Sequence, residues 1–183
     1  LDNPDYGKVF DASYSWVWMH KTKDFYQHRL PLYELDSLLD RYSGIGDGSM
    51  RAWFTSNHDE NSWNGTENDK YGKMAGALAV FSATWNGVPL LYSGQELPNL
   101  KKLEFFEKDV IQWTGKYEQQ EFYRTLLNLH SRHPALRGGD STVETYRLKT
   151  ADNAHVFAYL RKHGNREVLV VLNLSDQSLP NIS

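Results

Sequence analysis

Seven consecutive residues, Phe54-Thr55-Ser56-Asn57-His58-Asp59-Glu60, gather two carboxylates, an imidazole, a carboxamide and two hydroxyls. Three chemistries compete for such a stretch. A metal site would use His58, Asp59 and Glu60, but on extended chain successive side chains point to opposite faces, so the three do not easily converge on one ion. A nucleophile would need a strained elbow, and Leu91-Tyr92-Ser93-Gly94 lacks the first glycine of G-x-S-x-G. The third is polyol binding: an ionised carboxylate accepts hydrogen bonds from two hydroxyls, a neighbouring imidazole donates another, and aromatic rings cover the apolar faces of the ligand. Tyr14, Trp16, Trp18, Trp53, Trp63 and Tyr92 supply such rings. Against this stands a purely structural role, in which Asn57 and Asp59 cap the next turn and the aromatics are core.

These residues must be held by elements that the apolar pattern marks out. Val9 to Ala12 opens a short strand-like run that flows into Tyr14, Trp16 and Trp18, and Pro31 stands where a helix over Leu32, Leu35, Leu38 and Leu39 can begin. Met50 to Thr55 has strand character and delivers the polar cluster at its C-terminal end, followed by an Asn-, Gly-, Ser- and Thr-rich loop up to Asp69. Lys70 to Trp85 carries Met74, Leu78, Phe81 and Trp85 at helical spacing, with Asn86-Gly87 as a stop. Val88 to Tyr92 is a third short strand, and Tyr117 to Arg132 a helix ended by Pro134. Short strands alternating with amphipathic helices predict parallel βα units, whose polar residues collect beyond the strand C-termini. After Gly138-Gly139 the pattern changes: Thr142 to Leu148, Ala154 to Leu160 and Val168 to Leu174 predict a small antiparallel sheet. The expected division is 1–137 and 138–183.

Composition narrows the partners. With 183 residues, 40% hydrophobic and a net charge of −3, the chain has enough apolar matter for a core and no basic field for nucleic acid. Cysteine is absent, which removes thiol catalysis and thiolate metal sites. No apolar run approaches the roughly 20 residues of a membrane span, so neither membrane nor nucleic acid is an expected partner. Leu1 to Lys8 shows no leader pattern, and a secreted or periplasmic location is favoured over the cytoplasm. Asn64-Gly65-Thr66, Asn173-Leu174-Ser175 and Asn181-Ile182-Ser183 fit the glycosylation sequon, which matters only along a eukaryotic secretory route.

Phe54-Thr55-Ser56-Asn57-His58-Asp59 resembles the F-x-x-N-H-D motif at the seventh strand of the α-amylase superfamily, glycoside hydrolase family 13. Gly87-Val88-Pro89-Leu90-Leu91-Tyr92-Ser93-Gly94-Gln95-Glu96 is similar to that family's G-x-P-x-x-Y-x-G-x-E at the eighth strand, in the right order and spacing. Leu103 to Asp109 leading to Trp113, and Phe122-Tyr123-Arg124 leading to His133-Pro134-Ala135-Leu136, are similar to segments that follow. The resemblance covers nearly the whole chain. It implies the last three units of a (β/α)₈ TIM barrel and the start of a C-terminal β-domain, since a full barrel takes about 250 residues. It also implies that Asp59 is the third catalytic carboxylate, binding sugar hydroxyls at the cleavage point and stabilising an oxocarbenium-like ring. Such help at a transition state is worth about 3 to 4 kcal/mol. His58 would bind the same ring, with Asn57 positioning the pair, while Trp63 would stack on a neighbouring glucose. Tyr92 and Glu96 would order the last strand, Tyr92 with a share in substrate binding, and Glu60 would be a solvated loop acid.

A retaining glycosidase needs a nucleophile and an acid/base about 5 to 5.5 Å apart. In this family they follow the fourth and fifth strands, the nucleophilic Asp lying two residues after an Arg. Here Arg41 is followed by Ser43, Arg51 by Trp53 and Arg147 by Lys149. Both carboxylates are therefore expected upstream of Leu1, as are the family's calcium ligands, and no metal or cofactor is expected in this chain. The implied substrate is an α-1,4-glucan or maltooligosaccharide. Relatives sharing these motifs include α-glucan transferases, debranching and cyclodextrin-cleaving enzymes, and non-catalytic carbohydrate-binding members. Cut from a closed barrel, the outer strands would leave open edges through which two copies could associate.

Overall fold

The computed structural model describes residues 4–43, 49–97 and 99–179; the Asn181-Ile182-Ser183 sequon lies outside them. Three short strands, β1 (Ala12–Tyr14), β2 (Met50–Trp53) and β3 (Val88–Pro89), run parallel in the order β1-β2-β3. Ala12 pairs with Met50 and Trp53 with Pro89. Helices α1 (Trp16–Tyr26) and α2 (Tyr33–Ser43) connect β1 to β2. Helices α3 (His58–Asn64), α4 (Glu67–Tyr71) and α5 (Ala75–Thr84) connect β2 to β3. After α6 (Gln120–Arg132), strands β4 (Glu144–Leu148), β5 (Val156–His163) and β6 (Arg166–Asn173) form an antiparallel meander.

Gly87 shows why the β2–β3 join is so tight. At φ +139° a Cβ there would sit 2.3 Å from the Arg51 carbonyl and 2.5 Å from the Trp53 indole nitrogen. Only glycine lets the chain pass, and the indole N–H then donates to the Asn86 carbonyl at 2.7 Å.

The two sheets share one core. Phe81 on α5 stacks on Trp18 at 4.3 Å between ring centroids and meets Trp53 edge-on at 5.2 Å. On its other side it contacts Trp85, Phe157 and Tyr159. The Thr84 and Tyr159 hydroxyls share a hydrogen bond of 2.5 Å across the same seam.

Several expected elements differ. The first strand begins at Ala12 rather than Val9, because Pro4–Lys8 form a 3₁₀ turn and leave Val9 and Phe10 exposed. Trp16 and Trp18 belong to α1, whose buried Trp18, Thr22 and Phe25 follow helical spacing hidden under aromatic and branched residues. The polar loop expected up to Asp69 is two short helices. Asn57 caps α3, and Thr66 with Asp69 forms a capping box on α4, so residues that read as loop punctuation act as caps. The helix expected from Lys70 breaks at Gly72, where φ is +46° and a Cβ would meet the Tyr26 hydroxyl at 2.2 Å. The third strand is two residues long, although Leu90 still donates to the Trp53 carbonyl at 2.8 Å.

Candidate active site

Beyond β2 the chain stays buried through Phe54, Thr55, Ser56 and Asn57. The backbone of Asn57 is extended, and its Oδ1 accepts hydrogen bonds from the N–H groups of Asp59 at 3.0 Å and Glu60 at 2.8 Å. This N-cap is worth about 1 kcal/mol and fixes the rotation of α3. His58, Asp59 and Trp63 then face outward, while Glu60, Asn61 and Ser62 face inward.

His58 Nε2 approaches Asp59 Oδ1 to 3.5 Å, with the two side chains 67% and 36% exposed. The alternation expected of an extended chain therefore does not apply. In the first turn of a helix successive side chains are about 100° apart, so imidazole and carboxylate share a side while Glu60 turns inward. Among the described residues no group of three or more His, Cys, Asp or Glu side chains could hold a metal ion. Acidic side chains in this turn also suit the helix N-terminus.

Glu60 is a correction to the expectation of a solvated loop acid. It is 3% exposed, accepts a hydrogen bond from Asn64 Nδ2 at 2.7 Å and lies 3.9 Å from His20 Nε2. Asn57 is 1% exposed with its oxygen committed to the cap. It sits beneath His58 and Asp59 and holds them. Trp63 lies one helical turn from Asp59 on the same face, and its ring is met by Phe105 and Phe106 at 4.7 and 5.9 Å.

Tyr92 lines a pocket of about 240 Å³ together with Ser56, Asn61, Glu67, Gln95 and Tyr123, to which His58 and Asp59 do not contribute. Glu96 Oε2 accepts from the Gly94 N–H at 2.9 Å, which fixes the turn after Tyr92.

Under both regions runs a buried polar network that the sequence did not announce. Thr55 and Tyr123 donate to the Glu67 carboxylate, Gln95 Nε2 donates to Thr55 Oγ1 at 3.0 Å, and the Tyr92 N–H donates to Gln95 Oε1 at 2.6 Å. Desolvation pushes the Glu67 carboxyl upward, against the pull of its hydrogen bonds. Lys70, fully buried, donates to the Gly65 carbonyl at 3.2 Å and to Ser56 Oγ at 3.4 Å. Burial lowers it to about 8, opposed by the charges of Glu60 and Glu67. Glu67 sits in the expected loop, where only the Thr66-to-Asp69 spacing of a capping box signalled ordered structure, and Lys70 stands at the start of the expected helix.

No protein-family model matches the chain. It is 25% identical over 144 residues to alpha-amylase 2 of Dictyoglomus thermophilum, covering 72% of this chain and 24% of that protein. It is 26% identical over 182 residues to a cyclomaltodextrinase of a Bacillus species, covering 91% of this chain and 30% of that one. In structure it matches a maltogenic alpha-amylase of Thermotoga neapolitana with a TM-score of 0.79 and 24% identity, over 94% of this chain and 40% of that one. The chain thus spans about a quarter to a third of the length of these curated relatives. They are α-amylase-family proteins, and β1 to β3 with their helices have the fold of part of an amylase (β/α)₈ barrel, followed by the antiparallel sheet.

Proposed function

We propose that the chain is part of an α-amylase-type glycoside hydrolase that cleaves α-1,4-glucosidic bonds of starch or maltooligosaccharides with retention. In this reading Asp59 is the carboxylate that accepts the hydroxyls of the sugar at the cleavage point and stabilises the positive charge developing on its ring. His58 donates to the same sugar, and Trp63 stacks on a neighbouring one. The observation that carries the reading is the outward pairing of His58 and Asp59 at 3.5 Å, held by the buried Asn57 cap at the C-terminal end of a parallel strand. Barrel enzymes put their chemistry at that end.

Asp59 can stabilise charge but cannot both attack the anomeric carbon and protonate the leaving oxygen, so the nucleophile and acid/base come from outside this chain. Asn57 and Tyr92 support the site without touching the cleaved bond. A cyclodextrin-cleaving activity is the second reading, favoured by the cyclomaltodextrinase match over 91% of the chain. The test is reducing-sugar release from soluble starch and β-cyclodextrin by the 183-residue chain alone. The expected result is none; release that disappears in Asp59→Asn would overturn the division of labour.

A further inference from the structure

Three large rings stand together in solvent a helical turn from Asp59. Trp63, Phe105 and Phe106 are 54%, 44% and 82% exposed, and all three are in mutual contact, Phe105 meeting Phe106 at 4.9 Å. Trp63 and Phe105 incline at 38°, while Phe106 stands nearly perpendicular to both. Two rings make a floor and the third a wall.

The loop that presents the phenylalanines is built for the purpose. Asn61, 3% exposed, accepts the Leu103 N–H at 2.9 Å and donates to the Lys101 carbonyl at 3.3 Å, riveting the loop to α3. Asp109 closes the loop by pairing with Lys101 and accepting from the N–H groups of Glu104 at 3.1 Å and Val110 at 2.8 Å. The Lys101 ammonium and these N–H groups hold the Asp109 carboxyl down at about 2. Exposed apolar rings on a loop held this firmly mark a binding surface rather than a loose end.

We propose that Trp63, Phe105 and Phe106 form an aromatic corner that carries an α-1,4-linked glucan chain beyond the sugar at Asp59. The inference rests on the glucan-cleaving reading above and extends it to Phe105 and Phe106. Two features select this occupant. Residues 101–109 contain Lys101, Lys102 and Lys108 against Glu104, Glu107 and Asp109, so the loop offers no net field for nucleic acid or an anionic membrane and suits a neutral polyol. An α-1,4-linked glucan also curves, presenting the C–H faces of successive sugars at an angle, as the corner requires, whereas a flat ribbon would meet one ring plane only.

The test is the mobility of the 183-residue chain in native gels containing amylose or dextran, or no polysaccharide. Amylose should retard the wild type and dextran should not. Phe106→Ala should weaken the amylose interaction about tenfold, the scale of losing one good ring contact. Its ring is mostly in solvent, so folding should survive, and Phe105→Leu provides a second variant with the apolar bulk retained. Amylose retardation that is absent in the wild type, or unchanged in both variants, would overturn the corner while leaving the role of Asp59 to its own test. Concentration-dependent dimerisation lost in Phe106→Ala, without glucan binding, would assign the rings to a second copy of the chain and also overturn it.

Discussion

At the scale of single residues, the candidate site is one ordinary helix cap put to use. Asn57 aims the first turn of α3, and the outward positions of that turn happen to carry an imidazole and a carboxylate. Behind them Lys70 is the residue whose state is most open to measurement. Below pH 8 it is charged in both the folded and unfolded chain and bears its full burial penalty. Between about 8 and its ordinary value of 10.5 the unfolded chain still holds the proton that the folded chain has released, so the contribution of Lys70 to stability rises with pH. Denaturant unfolding of wild type and Lys70→Met at pH 7.5 and about 9.5 should therefore show the difference moving in favour of the wild type. A difference independent of pH would mean that Lys70 is solvated and titrates normally.

At the scale of elements, the parallel units, α6 and the three late strands were legible because their apolar periodicity is strong and their stops are Gly or Pro. Helix α1 was not, since Trp16, Val17 and Trp18 favour strands and only burial of Trp18, Thr22 and Phe25 shows the helical face. α3 and α4 were missed for a different reason: Asn57, Thr66 and Asp69 have the residue types of a loop, and the same local hydrogen bonds that make turns also cap helices. The types of the site residues were readable, but the pairing of His58 with Asp59 and the inward turn of Glu60 depend on helix phase. The contact of Trp63 with Phe105 and Phe106 joins segments about forty residues apart, which periodicity cannot see. The tightest joint between elements is Gly87. Gly87→Ala combines a φ disfavoured for a side chain with overlap on the Arg51 carbonyl and Trp53, so a loss of about 2 to 4 kcal/mol is expected. Urea unfolding measures it, and a loss below about 0.5 kcal/mol, the level of a neutral surface change, would show that the β2–β3 junction is not as tight as described.

At the scale of the whole molecule, the chain is a segment of an architecture with a seam through its middle. Phe81 and Trp85 hold the antiparallel sheet against the parallel one, so the two sheets bury one another although they belong to different layers. Among the described residues β1 and β3 have no strand on their outer edges, and such edges call for a partner. The relatives extend over several times this length, and the proposed chemistry needs two further carboxylates from there. The most direct measurement of the central claim is turnover on maltoheptaose of the complete enzyme carrying this segment, with and without Asp59→Asn. The substitution keeps the size and the cap geometry of α3, so the variant should fold as before. Its kcat should fall by a factor of about 100 or more, as when one strong transition-state interaction is lost. A correctly folded Asp59→Asn enzyme that retains most of its turnover would contradict the account.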